Sequence, residues 1–183
     1  MSVIIEAWQP GSPEHRQAFA DLNREWLNEF FRVELADEAM FADPQSYIID
    51  KGGDIFFARL DGRIVGTVGL IKMEDGTYEL AKMGVTSAVR GHGVGRQLAE
   101  ALIAGARRRN ARRLYIASNR KLAQAITLYK KLGFKELPEP DMRYERADIT
   151  LELLLAPEEI GGCKGLEPTR YGDWERAGKC VDF

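Results

Sequence analysis

The stretch of sequence that decides the fold runs from Glu79 to Ala101 and reads ELAKMGVTSAVRGHGVGRQLAEA. Its apolar first part is typical of a β-strand that ends near Val85, and a helical pattern begins near Gly93. The glycine-rich segment Arg90–Gly95 lies at this junction. Glycine lets the backbone bend so that several N–H groups point in one direction, and a helix N-terminus adds unpaired donors. The stretch therefore predicts a site for a diphosphate.

Two other phosphate-binding loops match this stretch poorly. A dinucleotide-binding loop needs three glycines at a different spacing after an early strand, followed by an acidic residue for the ribose. A P-loop needs Gly-Lys-Ser or Gly-Lys-Thr, which the sequence lacks. The loop taken alone could also bind some other phosphate-containing ligand. The identity of the ligand therefore has to be inferred from the residues around the loop.

The segments on either side of the loop predict a mixed sheet. Downstream, Leu114 to Ala117 reads as a short strand, a helical pattern runs to Leu132, and Phe134 to Leu137 reads as another strand. This alternation is typical of parallel strands joined by crossover helices. Upstream, turns at Asp61-Gly62 and Asp75-Gly76 divide the chain into an antiparallel meander.

The ends of this region complete an α/β (α+β) prediction. Val3 to Trp8 reads as a strand, and Ser12 or Pro13 can begin a helix whose apolar stripe reaches Phe31. A second short helix is expected from Asp37 to Ala42, and Asp148 to Leu155 reads as the final strand.

The composition of the 183-residue chain argues against several classes of protein. A net charge of −2 gives no overall field that would attract nucleic acid or an anionic membrane. The basic run Arg107–Arg113 is expected at a solvated helix C-terminus, where the helix dipole favours cations. The sequence shows no signal peptide, no apolar run of membrane-spanning length and no metal-ligand cluster, and Cys163 and Cys180 require no disulfide. We expect a cytoplasmic protein with no metal, membrane or nucleic-acid partner.

The loop and the helix after it resemble the GNAT superfamily of N-acetyltransferases. The acetyl-CoA loop of that family reads Gln or Arg, two residues, Gly, one residue, then Gly or Ala, and Arg90, Gly93 and Gly95 match it. Family members commonly carry a tyrosine four residues before a Gly-Phe pair, as Tyr129 does here. The resemblance covers about residues 3–155 and implies a GNAT-like mixed, mostly antiparallel central sheet with helices on both faces.

The resemblance also implies that acetyl-CoA, or CoA, is the cofactor. Backbone amides from Gly91 to Arg96 would hold the pyrophosphate, and the backbone of Met83 and Val85 would pair with the pantetheine arm like an added strand. The Val85 N–H would polarise the thioester carbonyl, as an oxyanion donor does. The implied cofactor-binding residues are Met83, Gly84, Val85, Arg90, Gly91, His92, Gly93, Val94, Gly95, Arg96, Asn119 and Tyr129.

Two residues are predicted to carry the proton transfers. A lysine-type amine has a pKa of about 10.4 and is protonated at neutral pH, so a base must accept a proton before the amine attacks. Glu79, on the strand that leads to the thioester site, is the candidate base, and Tyr129 is the candidate acid for the departing thiolate. A core tyrosine, a solvent-facing strand carboxylate and catalysis by positioning alone are the alternatives.

The first helices are predicted to contribute the acceptor pocket. Trp26, Phe30 and Phe31 lie where family members often build it, and Glu34 and Tyr144 are weaker candidates for acceptor contacts. The alternative for the three aromatic residues is ordinary core packing.

The last part of the chain has a different composition, rich in glycine and poor in aliphatic residues, and cannot form a core alone. From Glu159 onward it resembles the C-terminal motif of the succinate dehydrogenase assembly factor four family, most closely over Glu167–Glu175 and in the terminal Asp-Phe. The resemblance implies that residues 158–183 bind the flavoprotein subunit of succinate dehydrogenase. The alternative is a fused tail that packs on its own domain.

The sequence as a whole predicts a GNAT acetyltransferase domain over residues 1–156 and an extended tail over residues 157–183. The predicted reaction is direct transfer of acetyl from acetyl-CoA to a primary amine on a small molecule, a peptide or a protein. The alternative function is a CoA-binding module whose tail recruits the flavoprotein. Because this fold often dimerises, a homodimer is also expected.

Overall fold

The computed structural model describes residues 2–73, 76–139 and 147–155, together with the backbone of two short strands at 174–176 and 179–181. The helices are α1 Pro13–Phe30, α2 Leu35–Ala42, α3 Val94–Arg108 and α4 Ala123–Lys131, with a π-helical turn at Gln45–Ile49 and a 3₁₀ turn at Ser87–Val89. The strands are β1 Val3–Ala7, β2 Asp54–Leu60, β3 Arg63–Lys72, β4 Thr77–Val85, β5 Arg113–Ser118, β6 Lys135–Glu136, β7 Ile149–Leu154, β8 Trp174–Arg176 and β9 Lys179–Val181. Within these ranges no helix is both long and apolar enough to cross a bilayer.

The central sheet has seven strands in the order β1-β2-β3-β4-β5-β7-β6. Strands β1 to β4 form an antiparallel meander, and β4 and β5 are parallel neighbours joined through α3. Strands β5, β7 and β6 pair antiparallel, while β8 and β9 form a separate hairpin. The predicted mixed, mostly antiparallel sheet is confirmed.

The order of the last strands differs from the sequence prediction. The alternation of strands and helices implied that the strand after α4 would pair with β5. Instead β7 lies between β5 and β6, and β6 has only two residues. Leu114 of β5 lies opposite Leu153, and Ile116 lies opposite Leu151, so β7 brings apolar residues against the buried strand β5. The exposed residues of β6 suit a sheet edge instead.

Local sequence signals explain the hairpin and the helix starts. Asp61 and Gly62 have φ values of 47° and 80°, the paired left-handed conformation that a tight two-residue hairpin needs. Helix α1 begins as predicted, because the Ser12 side chain accepts a hydrogen bond from the His15 N–H at 3.2 Å. The second predicted turn includes Asp75, which lies outside the described residues.

Two hydrophobic clusters cover the two faces of the sheet. One includes Leu98 and Leu102 of α3 with Tyr129 of α4, packed against strand residues such as Leu80. The other includes Phe19 and Leu27 of α1 with Phe41 of α2, packed against strand residues such as Phe57. The predicted placement of helices on both faces therefore holds, with α3 and α4 on one face and α1 and α2 on the other.

Candidate active site

A bulge in β4 opens the sheet beside β5. The two strands pair only from Thr77 to Glu79, and the β3–β4 register shifts where Lys82 adopts a φ of 53°. A bulge bends its strand and increases the local twist, so β4 turns away from β5 beyond this point. The result is a cleft between the C-terminal halves of two parallel strands.

The cleft contains a cavity of about 730 Å³. This volume is within the usual range for a small-molecule site. Helix α1, both strands, the loop after β5 and helix α4 supply its walls. The lining includes Asn23, Trp26, Leu27, Glu29, Phe30, Phe31, Glu79, Lys82, Met83, Val85, Arg90, Ile116, Asn119, Lys121 and Tyr129.

The cavity reaches both faces of the sheet. Met83 and Tyr129 belong to the cluster on the α3 and α4 face, whereas Trp26 and Phe31 pack in the cluster on the α1 and α2 face. Glu79 lies opposite Ile71, which packs in the α1 and α2 cluster. Because cross-strand partners point to the same face, the Glu79 side chain is on the side of the α1 aromatic residues. Two reactants could therefore meet here from opposite sides.

The glycine loop forms an open N-terminus for α3. Gly91 and Gly93 have φ values of 83° and 78°, and neither position has a neighbouring atom within 4 Å of where a Cβ would lie. Helix α1 has a capping side chain and Glu14 in its first turn, but α3 has no capping side chain and no acidic residue there. The first N–H groups of a helix lack intrahelical partners. The loop therefore presents backbone donors that suit an anion such as a diphosphate.

Gly95 lies where this helix meets the cleft. A Cβ at this position would come within 3.0 Å of the Met83 Cε and 3.7 Å of the Leu128 Cδ2. A large side chain here would therefore occupy the space between the loop and α4. Val94, the first residue of α3, is buried in the core beneath.

The Arg90 side chain braces the loop from within. Its Nε donates to the Val85 carbonyl at 3.0 Å, and its guanidinium pairs with Glu29 of α1 at 2.6 Å. The contact holds the pKa of the Glu29 carboxyl below its usual value, and Glu29 in turn raises the pKa of the guanidinium. The guanidinium also lies 6.0 Å from the centre of the Phe30 ring.

Two further loop residues have side chains directed elsewhere. His92 is exposed, and its Nδ1 lies 3.1 Å from the Arg90 carbonyl oxygen. The Arg96 guanidinium pairs with Glu100 at 2.8 Å, one turn along α3. Neither residue is in the described lining of the cavity, and the backbone role that the sequence assigns to them stays a prediction.

The end of β4 presents its backbone to the cleft. The Thr86 N–H donates to the Val65 carbonyl of β3 at 3.0 Å. In an antiparallel pair, the N–H and C=O groups of successive residues point alternately toward and away from the neighbouring strand. Because the Thr86 N–H points toward β3, the N–H and C=O groups of Val85 point away from β3 and into the cleft. At Gly84 a Cβ would lie 2.8 Å from the Leu22 carbonyl oxygen, which shows how closely α1 crosses this strand.

Tyr129 lies deep in the cavity wall and is 5% exposed. Its hydroxyl donates a hydrogen bond to the Met83 Sδ at 3.4 Å, and its ring lies 6.0 Å from that of Phe134. Burial raises the pKa of the Tyr129 hydroxyl well above its usual value, because the phenolate would lose hydration. The hydroxyl therefore stays protonated at neutral pH.

Asn119 and Glu79 also line the cavity. The Asn119 Oδ1 accepts a hydrogen bond from the Lys121 N–H at 3.0 Å, and the Asn119 carbonyl accepts one from the Leu122 N–H at 2.9 Å. These contacts order the turn that leads from β5 into α4. Glu79 is only 3% exposed, so the alternative of a solvent-facing carboxylate does not hold.

The structure brings only part of the predicted acceptor set together. Trp26, Phe30 and Phe31 line the cavity, with ring centres 6.2 Å apart for Trp26–Phe30 and 5.7 Å for Trp26–Phe31. Glu34 is not in the described lining and instead forms a capping box at the start of α2. Tyr144 lies outside the described residues.

Sequence reasoning missed an ion pair at the bulge. The Lys82 ammonium lines the cavity and pairs with the buried Asp37 carboxylate of α2 at 2.5 Å. Asp37 also accepts a hydrogen bond from the Glu34 N–H at 3.1 Å. The pair ties the bulge of β4 to the start of α2. Nothing in the local pattern of either segment indicates it, because the partners are 45 positions apart.

Two family models match the chain in succession. The acetyltransferase (GNAT) family matches residues 20–134, more than half of the chain. A family described as a protein of unknown function (DUF1674) matches residues 135–183, and its description names no partner. The second match includes β6 and β7, which pair in the same sheet as β5.

Similar proteins agree with the first of these matches. An uncharacterized N-acetyltransferase of Mycobacterium tuberculosis is 33% identical over 124 residues, which cover 68% of this chain and 70% of the relative. A GNAT-family acetyltransferase structure from Staphylococcus aureus has a TM-score of 0.74 at 19% identity, covering 85% of this chain and 100% of the other. An aminoglycoside 6'-N-acetyltransferase complexed with coenzyme A has a TM-score of 0.67 at 18% identity, and the match covers 86% of this chain and 99% of the other. The two structures share the fold, and the family match together with the mycobacterial relative shows that this chain belongs to the acetyltransferase (GNAT) family.

Proposed function

We propose that the chain transfers the acetyl group of acetyl-CoA to a primary amine by direct attack. The observation that carries the proposal is the cleft between β4 and β5, which has an uncapped helix N-terminus at one end and a buried, protonated tyrosine within it. A GNAT neighbour of the same fold was crystallised with coenzyme A, which supports the choice of ligand.

The donor wall consists of residues 83–96 together with Asn119 and Tyr129. In the proposal, amides from Gly91 to Arg96 hold the pyrophosphate, because they combine open donors with the partial positive charge of α3. The cleft-facing backbone of β4 pairs with the pantetheine arm, and the Val85 N–H donates to the thioester oxygen. Acetyl-CoA would supply an activated acetyl group, and the chain would position it.

The acceptor wall consists of Trp26, Phe30, Phe31 and Glu79. Glu79 accepts a proton from the ammonium, directly or through water, and the neutral amine nitrogen then bonds to the acetyl carbon. The carbon–sulfur bond breaks, and the Tyr129 hydroxyl gives a proton to the leaving sulfur. The second proton of the amine nitrogen passes through water to the Tyr129 phenolate, and Glu79 releases its proton to solvent. One amide, one free thiol and one proton therefore form for each acetyl-CoA consumed.

Calorimetry with CoA, followed by an amine screen that detects free thiol, tests this function. We expect saturable one-site binding of CoA and thiol release that depends on the added amine. Binding without release from any amine would favour a CoA-binding module, and the absence of CoA binding would remove the enzymatic function.

A second candidate function, for the tail, rests on the sequence resemblance alone. We infer from the sequence resemblance that residues 158–183 bind the flavoprotein subunit of succinate dehydrogenase. Capture of that subunit by the full chain, and its loss on deletion of residues 158–183, is the expected outcome, and equal capture by both would contradict it. The domain boundary at 156, the cytoplasmic setting and the homodimer stay predictions from the sequence.

A further inference from the structure

We propose that the acceptor is a monoamine with an aromatic or bulky apolar body, rather than a polyamine or an aminosugar. This inference rests on the proposed function and adds the chemical class of its second substrate. It is carried by the aromatic composition of the acceptor wall and by the charges of the described lining.

The aromatic rings of the acceptor wall are incompletely covered by the protein. Trp26 and Phe31 are half-buried, and Phe30 is 38% exposed, although all three line the cavity. The centre of the Trp26 ring lies 6.2 Å from that of Phe30 and 5.7 Å from that of Phe31. An apolar ligand would remove this aromatic surface from water, which is the main source of affinity in sites of this kind.

The aromatic residues and the candidate base share one face of the sheet. Glu79 points to the α1 and α2 side, where Trp26 and Phe31 pack. An amine held near Glu79 therefore places the substituent that it carries against these rings. Before deprotonation the ammonium is also attracted by the faces of nearby aromatic rings.

The charges of the described lining disfavour a polycation. Three cations, Lys82, Arg90 and Lys121, line the cavity beside two carboxylates, Glu29 and Glu79, and Lys82 is already paired with Asp37. Glu29 already bridges to Arg90 at 2.6 Å. A second or third ammonium on the acceptor would therefore approach protein cations and would lose hydration without a matching set of carboxylates. One ammonium near Glu79 avoids this cost.

A matched amine panel tests the proposal on the full chain with saturating acetyl-CoA. The probes are phenethylamine, butylamine, spermidine and kanamycin, with kcat/KM read from free thiol. We expect phenethylamine to exceed each of the other three by at least about tenfold, the discrimination that an apolar pocket commonly gives.

Variants locate this preference on the acceptor wall. Trp26→Ala should lower kcat/KM for phenethylamine about tenfold, leave butylamine within about twofold and leave CoA affinity unchanged. Tyr47→Ala is the matched control, because Tyr47 is an exposed aromatic residue outside the described lining, and it should change neither amine.

The outcomes separate the substrate class from the proposed function. If CoA binds and amines react but spermidine or kanamycin is preferred, the substrate class is overturned while the proposed function stands. An equal fall in kcat/KM for phenethylamine and butylamine in the Trp26→Ala variant also overturns the substrate class. Trp26 would then not distinguish the apolar parts of the two amines. If CoA does not bind, or if it binds and no amine releases thiol, the proposed function itself fails and the substrate class falls with it.

Discussion

The donor wall and the acceptor wall line the same cavity but are made of different parts of the polypeptide. The donor wall is largely backbone from one continuous stretch, with left-handed glycines at 91 and 93 that set its conformation. The acceptor wall is side chains from α1 and β4, which are more than 40 positions apart. A backbone site leaves a spacing rule in the sequence, whereas a side-chain site depends on how distant elements pack.

The largest effect should come from filling the donor wall with Gly95→Trp. The indole would extend from a Cβ already 3.0 Å from the Met83 Cε, so it would occupy the cleft. We expect CoA affinity to fall at least about 1,000-fold, about 4 kcal/mol, in a calorimetric titration. Gly95→Ala is the control and should lose much less, because the Met83 side chain can move. Retained affinity in the tryptophan variant would place the diphosphate elsewhere.

The next effect should come from the ion pair that ties the bulge of β4, beside both walls, to the start of α2. Asp37→Ala leaves the Lys82 ammonium, whose side chain is only 12% exposed, without this carboxylate. We expect the free energy of unfolding in urea to fall by about 3 kcal/mol. Because the cost comes from an uncompensated charge, the double variant Lys82→Met/Asp37→Leu should recover most of it. A single variant as stable as the parent would show that the pair does not hold the bulge.

Tyr129→Phe separates chemistry from binding within the donor wall. The variant keeps the buried ring and removes the hydroxyl that contacts the Met83 Sδ. We expect kcat to fall about 100-fold with CoA affinity nearly unchanged, since proton donation to the leaving group is typically worth this much or more. Unchanged kcat would exclude Tyr129 as the acid and leave it as a core residue.

The smallest effect should come from Glu29→Gln, which loosens the contact between α1 and the loop. Because Arg90 holds the pKa of Glu29 below its ordinary 4.5, the ion pair contributes above that value and is lost as the pH falls through the lower pKa of the folded state. We expect CoA to bind the variant about threefold more weakly at neutral pH, with the difference constant down to about pH 5. A difference that vanished between about pH 5 and pH 7 would contradict this account.

Local signals predicted most of the elements because their causes are local. Ser12 caps α1, the Asp61-Gly62 pair makes the hairpin, and the loop before α3 has the left-handed glycines that its spacing suggested. The position of β7 between β5 and β6 could not be predicted this way, since it depends on which distant strand buries Leu114 and Ile116.

The sequence also predicted some, but not all, of the residues that line the cavity. The described lining includes Glu79, Tyr129 and the aromatic residues of α1, while Glu34 and the residues from Gly91 to Arg96 lie outside it. The bulge at Lys82 was not predictable, because a non-glycine residue with positive φ has no signature in an otherwise regular strand pattern. Asp37, the ion-pair partner of Lys82, has the sequence context of an ordinary residue in the first turn of a helix.

A crystal structure of the full chain with CoA tests the central claim most directly. The account predicts the pyrophosphate within about 3 Å of backbone amides between Gly91 and Arg96, with the sulfur beside the Tyr129 hydroxyl. A CoA molecule bound away from the cleft between β4 and β5, or with its sulfur remote from Tyr129, would contradict it.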